Sequence, residues 1–161
     1  MADNLTPEQR RLNMSRIRSK DTQPETKVRK LVHACGLRYF KHVKSMPGKP
    51  DMVFPRARVV VFIDGDFWHG WKFDEWKDKL GTYWRGKIEG NMTRDGKHQS
   101  ELVSAGWQVV RIWEHEVQAD VSACIQRIEQ AVRGHQPVAS ALACEEKATY
   151  NVSTDCEDSI S

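Results

Sequence analysis

Apolar positions along the chain cluster into short solid runs and longer spaced ones, and the two kinds predict different elements. The solid run Val59-Val60-Val61-Phe62-Ile63 reads as a strand, and Met52-Val53-Phe54 just upstream reads as a second strand joined to it by a turn. Residues 38–43 read as an earlier strand, ended by the turn Met46-Pro47-Gly48-Lys49-Pro50, and 107–113 as a later one. The spaced runs read as helices. Thr6-Pro7-Glu8-Gln9 has Thr at the N-cap, Pro at the first turn and Gln three residues on. The helix it opens carries Arg10, Arg11, Arg16 and Arg18 with Leu12, Met14 and Ile17. Such a basic arm can lie along a duplex or simply form an amphipathic surface helix. Thr22-Gln23-Pro24-Glu25 opens a second helix through Val28, Leu31, Val32 and Cys35 to a stop at Gly36.

Residues 71–82 are polar and tryptophan-bearing, as in a short helix or lid. From Tyr83 a long helical pattern runs through Trp84, Ile88, Met92, Leu102 and Val103 to Gly106, and Gly86, Gly90 and Gly96 either weaken it or mark close approach to a partner. A closing helix spans 121–132 with Cys124, Ile125, Ile128 and Val132. A strand, a long helix and another strand imply a parallel crossover. The expected fold is therefore α/β, a mixed sheet flanked by helices, with no internal repeat.

Length allows one core and no more: 161 residues support a single mixed domain. The expected division is a basic arm over 1–20, a core over 21–135 and an acidic, disordered tail over 136–161. The formal charge of +3 hides an asymmetry, because that tail holds Glu145, Glu146, Asp155, Glu157 and Asp158 against Lys147 alone. The rest is distinctly basic, which suits phosphate binding, although many basic proteins bind no nucleic acid. Cys35, Cys124, Cys144 and Cys156 are scattered without a C-x-x-C pair, which argues against a disulfide framework or a cysteine zinc knuckle. No apolar run approaches a membrane span and Met-Ala-Asp-Asn opens no signal-peptide pattern, so the expected location is the cytoplasm with no membrane partner.

Chemistry concentrates between Met46 and Gly70. Paired strands bring their ends together, so Asp51, Asp64 and His69 can converge at one sheet edge, where carboxylates and an imidazole can bind Mg²⁺ and activate water. Phe67 and Trp68 beside that site suggest a nucleic acid whose bases are wedged or stacked. The plainer alternative is a buried hairpin with a solvated acidic turn. Glu25, three after Thr22, equally completes a capping box; Asp95 could be an exposed helix residue; Met14, at helical spacing with Ile17, could be core. Phe67 and Trp68 are adjacent, so in an extended segment they cannot both face one core.

A Pro-Asp opening one strand and an acidic cluster ending the next resemble the layout of PD-(D/E)xK nucleases, which carry a catalytic lysine that Asp64-Gly65-Asp66 lacks. A neutral imidazole at His69 could take the proton instead. More specifically, the chain resembles the very-short-patch repair (Vsr-type) mismatch endonucleases. The resemblance rests on Asn13-Met14-Ser15-Arg16-Ile17, Asp21-Thr22 and Glu25; on Pro47-Gly48-Lys49-Pro50-Asp51 and Phe67-Trp68-His69; and on Trp84, Lys87, Ile88, Asn91, Arg94-Asp95, Gly106-Trp107-Gln108-Val109 and Trp113-Glu114.

The resemblance implies a restriction-endonuclease-like fold and an Mg²⁺-dependent endonuclease that nicks one strand 5′ to the thymine of a T:G mismatch. Asp51 and the backbone carbonyl of Ile63 would hold the metal, His69 would be the general base, and Glu25 and Asp95 would support them. Met14, Phe67 and Trp68 would form the wedge, and Arg16, Arg18, Lys49, Lys87 and Asn91 would meet the DNA backbone. Asp64, where a relative has histidine, is a further candidate for the metal. The implied setting is a monomer at a bacterial or archaeal nucleoid, acting on mismatched double-stranded DNA, with mismatch-repair proteins as candidate partners. The family's structural zinc is not expected, because Asp66, Trp71, Phe73 and His115 stand where ligands would be needed and His115 alone cannot form a tetrahedral site. Packing of Trp71, Phe73 and Trp76 is the expected replacement. The competing readings are another PD-(D/E)xK endonuclease, restriction-type or specific for branched DNA, and a DNA-binding module without turnover.

Overall fold

The structure is a computed structural model that describes residues 6–16 and 21–134. Its elements are α1 (Pro7–Arg16), α2 (Gln23–Ala34), β1 (Met52–Phe54), β2 (Val59–Asp64), α3 (Phe73–Trp76), a 3₁₀ turn (Lys77–Lys79), α4 (Thr82–Ser104), β3 (Gln108–Trp113), α5 (Glu114–Ala119) and α6 (Val121–Gly134). The sheet order is β1-β2-β3, with β2 antiparallel to β1 and parallel to β3. The hairpin and the crossover through α4 are both present, and the mixed sheet flanked by helices is restriction-endonuclease-like.

Alternation along β2 sets the two faces. Val59, Val61 and Ile63 join Val28 and Val32 of α2 and Cys124, Ile125 and Ile128 of α6 in one core, whereas Val60 packs with Leu102 of α4 on the other side. Val59, Val60 and Val61 are fully buried, each worth about 1.5–3 kcal/mol relative to exposure. The pleat continues to Asp64, which therefore falls on the α4 face. Arg111 follows Val109 onto that same face of β3. A charged pair is thus placed by the strand period that builds the core.

Two features depart from the sequence reading. The strand over 38–43 reduces to one bridge, Phe40 with Val53, because His42 turns to φ 57° and Phe40 stays 64% exposed with nothing to bury it. The α5 helix was not anticipated. It is short, buries Val117 alone, and starts where the Glu116 carboxylate accepts the Trp113 backbone N–H at 2.8 Å. In α4 no group lies within 4 Å of a side chain built at Gly86, Gly90 or Gly96, so these glycines accommodate no neighbour within the described chain.

The first helix start is as expected: the Thr6 hydroxyl accepts the Gln9 backbone N–H at 3.2 Å and the Gln9 side-chain Oε1 accepts the Thr6 backbone N–H at 3.0 Å. At α2 the Thr22 hydroxyl instead donates to Glu25 at 2.9 Å, so the pair forms no capping box. Arg58 ties the far end of α4 to the sheet, donating to the carbonyls of Ala105 at 2.5 Å and Gly106 at 3.2 Å, where a cation is favoured at a helix C-terminus. Residues 17–20 and the acidic tail over 136–161 lie outside the described residues, with Arg18, Cys144 and Cys156 among them. No helix among the described residues is long and apolar enough to cross a membrane.

Candidate active site

Asp51 sits at the start of β1, where its backbone N–H reaches the Val61 carbonyl at 3.0 Å and its Oδ2 accepts the Ile63 N–H at 2.7 Å. The side chain thus takes the next ladder position after the backbone, which fixes it against β2. Burial pushes its carboxyl up to about 7; the Ile63 hydrogen bond opposes this, and the charges of Glu25 and Asp64 add to it. No salt bridge reaches Asp51 among the described residues.

The neighbouring acids are differently placed. Asp64, 2% exposed, accepts from Arg111 Nε at 2.5 Å and Nη2 at 3.1 Å, so both its oxygens are engaged. Glu25, buried on α2, accepts from Thr22 and from Arg29 Nη2 at 3.3 Å, and Arg29 in turn donates to Asp21 at 2.7 Å. Glu25, Val28, Arg29 and Val32 form the buried stripe of α2, so an ion pair is built into what otherwise reads as an apolar face.

His69 is brought to this centre by a tight turn after β2, with its N–H on the Gly65 carbonyl at 3.1 Å. Its Nδ1 lies 2.6 Å from Asp95 Oδ2 on α4 and 3.6 Å from Asp64 Oδ1. Asp95 is therefore no free surface residue. Burial pulls His69 down, but the Asp95 hydrogen bond and the two carboxylate charges outweigh it and leave the imidazole above its usual value. Asp95 ends below the usual carboxylate range, since His69 and Arg111 overcome its burial. With Nδ1–H donated to Asp95, Nε2 is the nitrogen left to accept a proton.

Beside the centre stands an aromatic cluster. Phe67 stacks on Trp76 with centroids 5.6 Å apart at 19°, meets Trp68 edge-on at 5.0 Å and Trp84 at 6.1 Å. Adjacent residues share one cluster because residues 66–72 are turned, with Trp71 N–H on the Asp66 carbonyl at 2.9 Å; the argument for an extended segment does not apply here. Gly70 permits the turn: its φ is +73° and a side chain there would run into Met92. Phe67 is 40% exposed. Asn91 donates to the Trp68 carbonyl at 3.0 Å and accepts from Arg94 at 2.8 Å, so its amide holds the loop.

Arg10 of α1 lies 4.5 Å over the Tyr83 ring, and Met14 follows one helical turn later on the same face. Arg16 is exposed on α1, Lys49 is exposed in the turn before Asp51 with φ 53°, and Lys87 is half-buried on α4. Of the residues standing where the resemblance would place zinc ligands, His115 has its Nδ1 2.7 Å from Asp66 Oδ1. Trp71 packs on His115 at 4.5 Å and on Trp113 at 5.0 Å, and Phe73 lies buried against Trp76 at 5.1 Å.

The sequence reading missed Arg111 and Arg29. Each had a local signal, a charge set between core residues: Arg111 between Val110 and Ile112, and Arg29 one turn from Glu25 within an apolar stripe.

A donor set of this kind suits Mg²⁺, which keeps most of its waters and takes one or two carboxylates with substrate phosphate oxygens. Asp51 is half-buried, has no salt bridge among the described residues and feels the charges of Glu25 and Asp64, so a cation there would relieve the repulsion. Among the described residues no group of three or more His, Cys, Asp or Glu side chains is gathered to cage a metal. A site relying on one carboxylate, a backbone carbonyl and water needs no such cage.

A mixed sheet with acids at the hairpin ends, a buffered histidine and a basic exterior defines a nuclease of the restriction-endonuclease-like class. The family model for the DNA mismatch endonuclease Vsr matches residues 2–75. The type II nicking enzyme V.XorIIP of Xanthomonas oryzae pv. oryzae is 42% identical over 130 residues, covering 80% of this chain and 95% of that protein. V.NmeDIP of Neisseria meningitidis serogroup C, also a type II nicking enzyme, is 41% identical over 137 residues, 83% of this chain and 93% of its own. The DNA mismatch endonuclease Vsr of Escherichia coli strain K12 is 34% identical over 116 residues, 71% of this chain and 74% of its own. The chain belongs to the Vsr family and is an endodeoxyribonuclease acting on DNA.

Proposed function

We propose that this endonuclease uses Mg²⁺ to nick one strand 5′ to the thymine of a T:G mismatch, as a monomer with an N-terminal basic arm against the duplex. The observation that carries the reading is Asp51, half-buried, positioned by the Ile63 N–H and without an ion-pair partner among the described residues, in the field of Asp64, which lies 3.6 Å from the His69 of the His69–Asp95 pair. Asp51 and the Ile63 carbonyl would hold the ion, which supplies charge neutralisation of the scissile phosphate and activation of the attacking water. His69 accepts the water's proton at Nε2 while Asp95 keeps the ring oriented through Nδ1 and stabilises the imidazolium that results. Glu25, pinned by Thr22 and Arg29, supports Asp51 from α2.

Selection falls to the aromatic loop. A mismatched step is poorly stacked, so opening it costs less than the few kcal/mol of a matched step, and Phe67 and Trp68 return about 1–3 kcal/mol per stacked base. Met14 would add to the wedge from α1. Arg16, Arg18, Lys49 and Lys87 would contribute phosphate contacts. Relatives named nicking enzymes support a cut in one strand. They also favour a second reading, a nick set by a recognition sequence in matched DNA.

Cleavage of strand-labelled duplexes carrying T:G, other mismatches or none separates the readings. A Mg²⁺-dependent nick confined to the T strand of T:G, abolished by EDTA and by Asp51→Ala, is the expected result. Equal cutting of a matched duplex would replace it with the sequence-directed reading.

A further inference from the structure

Two carboxylates, Asp95 and Asp64, flank His69, and Asp64 and Glu25 in turn act on Asp51; the four differ in what neutralises them. Glu25 has Arg29 at 3.3 Å. Asp95 has His69 at 2.6 Å and Arg111 Nη2 at 3.7 Å. Asp64 has Arg111 through both oxygens, at 2.5 and 3.1 Å. Asp51 alone among these has no ion pair among the described residues, and its carboxylate is positioned by a backbone N–H.

Arg111 is itself fixed on several sides. Its guanidinium lies 5.2 Å over the Phe62 ring, the residue opposite it in the sheet register, and its Nη1 reaches Gln99 of α4 at 3.4 Å. It sits between Asp64 and Asp95, the place a second divalent ion would need in order to use Asp64. A two-pronged guanidinium–carboxylate pair leaves that carboxylate with both oxygens engaged, and a guanidinium does not lose its proton in a protein.

We infer that Arg111 is a resident cation that limits the site to a single divalent ion, held through Asp51, and keeps Asp64 out of the ligand set as a strut beside His69. The inference rests on the divalent-metal reading above. It assigns Arg111 a positioning role that no motif marked.

The test counts ions rather than turnover. Metal-free full-length protein is titrated with Mn²⁺, free Mn²⁺ is followed by electron paramagnetic resonance, and folding of each sample is checked by circular dichroism. Wild type should bind one ion. Arg111→Gln, with Asp64 released, should bind two, and Arg111→Lys, which keeps the charge, should bind one. The double variant Asp64→Asn with Arg111→Gln removes the pair as a neutral unit; it should bind one ion with a Kd within about threefold of wild type. That variant also decides the matter if Arg111→Gln leaves Asp64 buried without a partner and fails to fold.

Two ions in wild type, one ion in folded Arg111→Gln, or a tenfold or greater loss of affinity in the double variant would overturn the inference while leaving the metal reading in place. No ion bound to wild type would remove the metal reading itself, and this inference with it.

Discussion

The acidic centre and the aromatic loop lie side by side and are built on opposite terms. In the centre, side chains are locked by charge: Asp64 is 2% exposed and bound twice by Arg111, and the His69–Asp95 contact is 2.6 Å. In the loop, Phe67, Trp68, Trp76 and Trp84 rest mostly on one another, and Phe67 is 40% exposed. Ring-on-ring contacts are nearly non-directional and worth about 0.5–1.5 kcal/mol beyond area burial, so they can be traded for contacts with a base at little net cost. Charge networks in a low-dielectric setting cannot be traded so cheaply. The difference suits a division of labour in which the rigid part does the chemistry and the exchangeable part does the choosing.

The sharpest break of that division comes at Asp51. Asp51→Asn should reduce nicking by about 10³-fold or more, since metal stabilisation of developing charge is worth several kcal/mol. The same change should stabilise the metal-free protein at neutral pH. The folded-state pKa of Asp51 is raised to about 7, above its ordinary 3.8. Its contribution to stability is thus fully present below 3.8 and is lost as pH climbs toward 7. Thermal melts in EDTA from pH 4 to 8 should show wild type losing stability across that window and Asp51→Asn much less so. In the same window Mg²⁺ must displace a proton from Asp51, so metal affinity should fall by up to about tenfold per pH unit below 7.

Next in size is the wedge. Phe67→Ala with Trp68→Ala should cost about 10–100-fold in kcat/KM on T:G duplex, from about 1–3 kcal/mol of lost stacking, with Mn²⁺ binding unchanged. A smaller effect is expected at Asp95. Burial alone would lower His69, and the Asp95 hydrogen bond is the largest influence raising it above 6.5. A general base must be neutral, so the acid limb of the wild-type pH–rate profile should lie above 6.5. Asp95→Asn should move that limb to lower pH and slow the plateau about tenfold. The smallest effect belongs to the arm: Arg16→Ala should reduce the slope of log affinity against log salt by about one, with little change in mismatch preference.

Much of the frame was legible because its signals are local. The run from Val59 to Ile63, the turn before Asp51 and the spacing through α6 each announce an element within a few residues. Residues 38–43 misled because an extended-looking stretch with Arg38, Lys41 and His42 has too little apolar surface to earn a strand's burial. The α5 helix hid because a single buried residue, Val117, leaves no period to detect. At the site, Asp51 and His69 were named from spacing and Asp95 and Glu25 from resemblance; the structure pairs His69 with Asp95, and Asp64 stands between that pair and the Asp51–Glu25 side. The partner of Asp64 was not found, because Arg111 stands 47 residues away and only the parallel register of β2 and β3 joins them.

Single-turnover nicking of T:G and matched T:A duplexes by wild type, Phe67→Ala with Trp68→Ala, and Asp95→Asn puts the division of labour to the most direct test. The T:G to T:A rate ratio should collapse toward one only in the aromatic variant, while Asp95→Asn slows both duplexes alike and keeps the ratio. An unchanged ratio in the aromatic variant, or a ratio that falls with Asp95→Asn, would mean that selection and chemistry reside in the same residues.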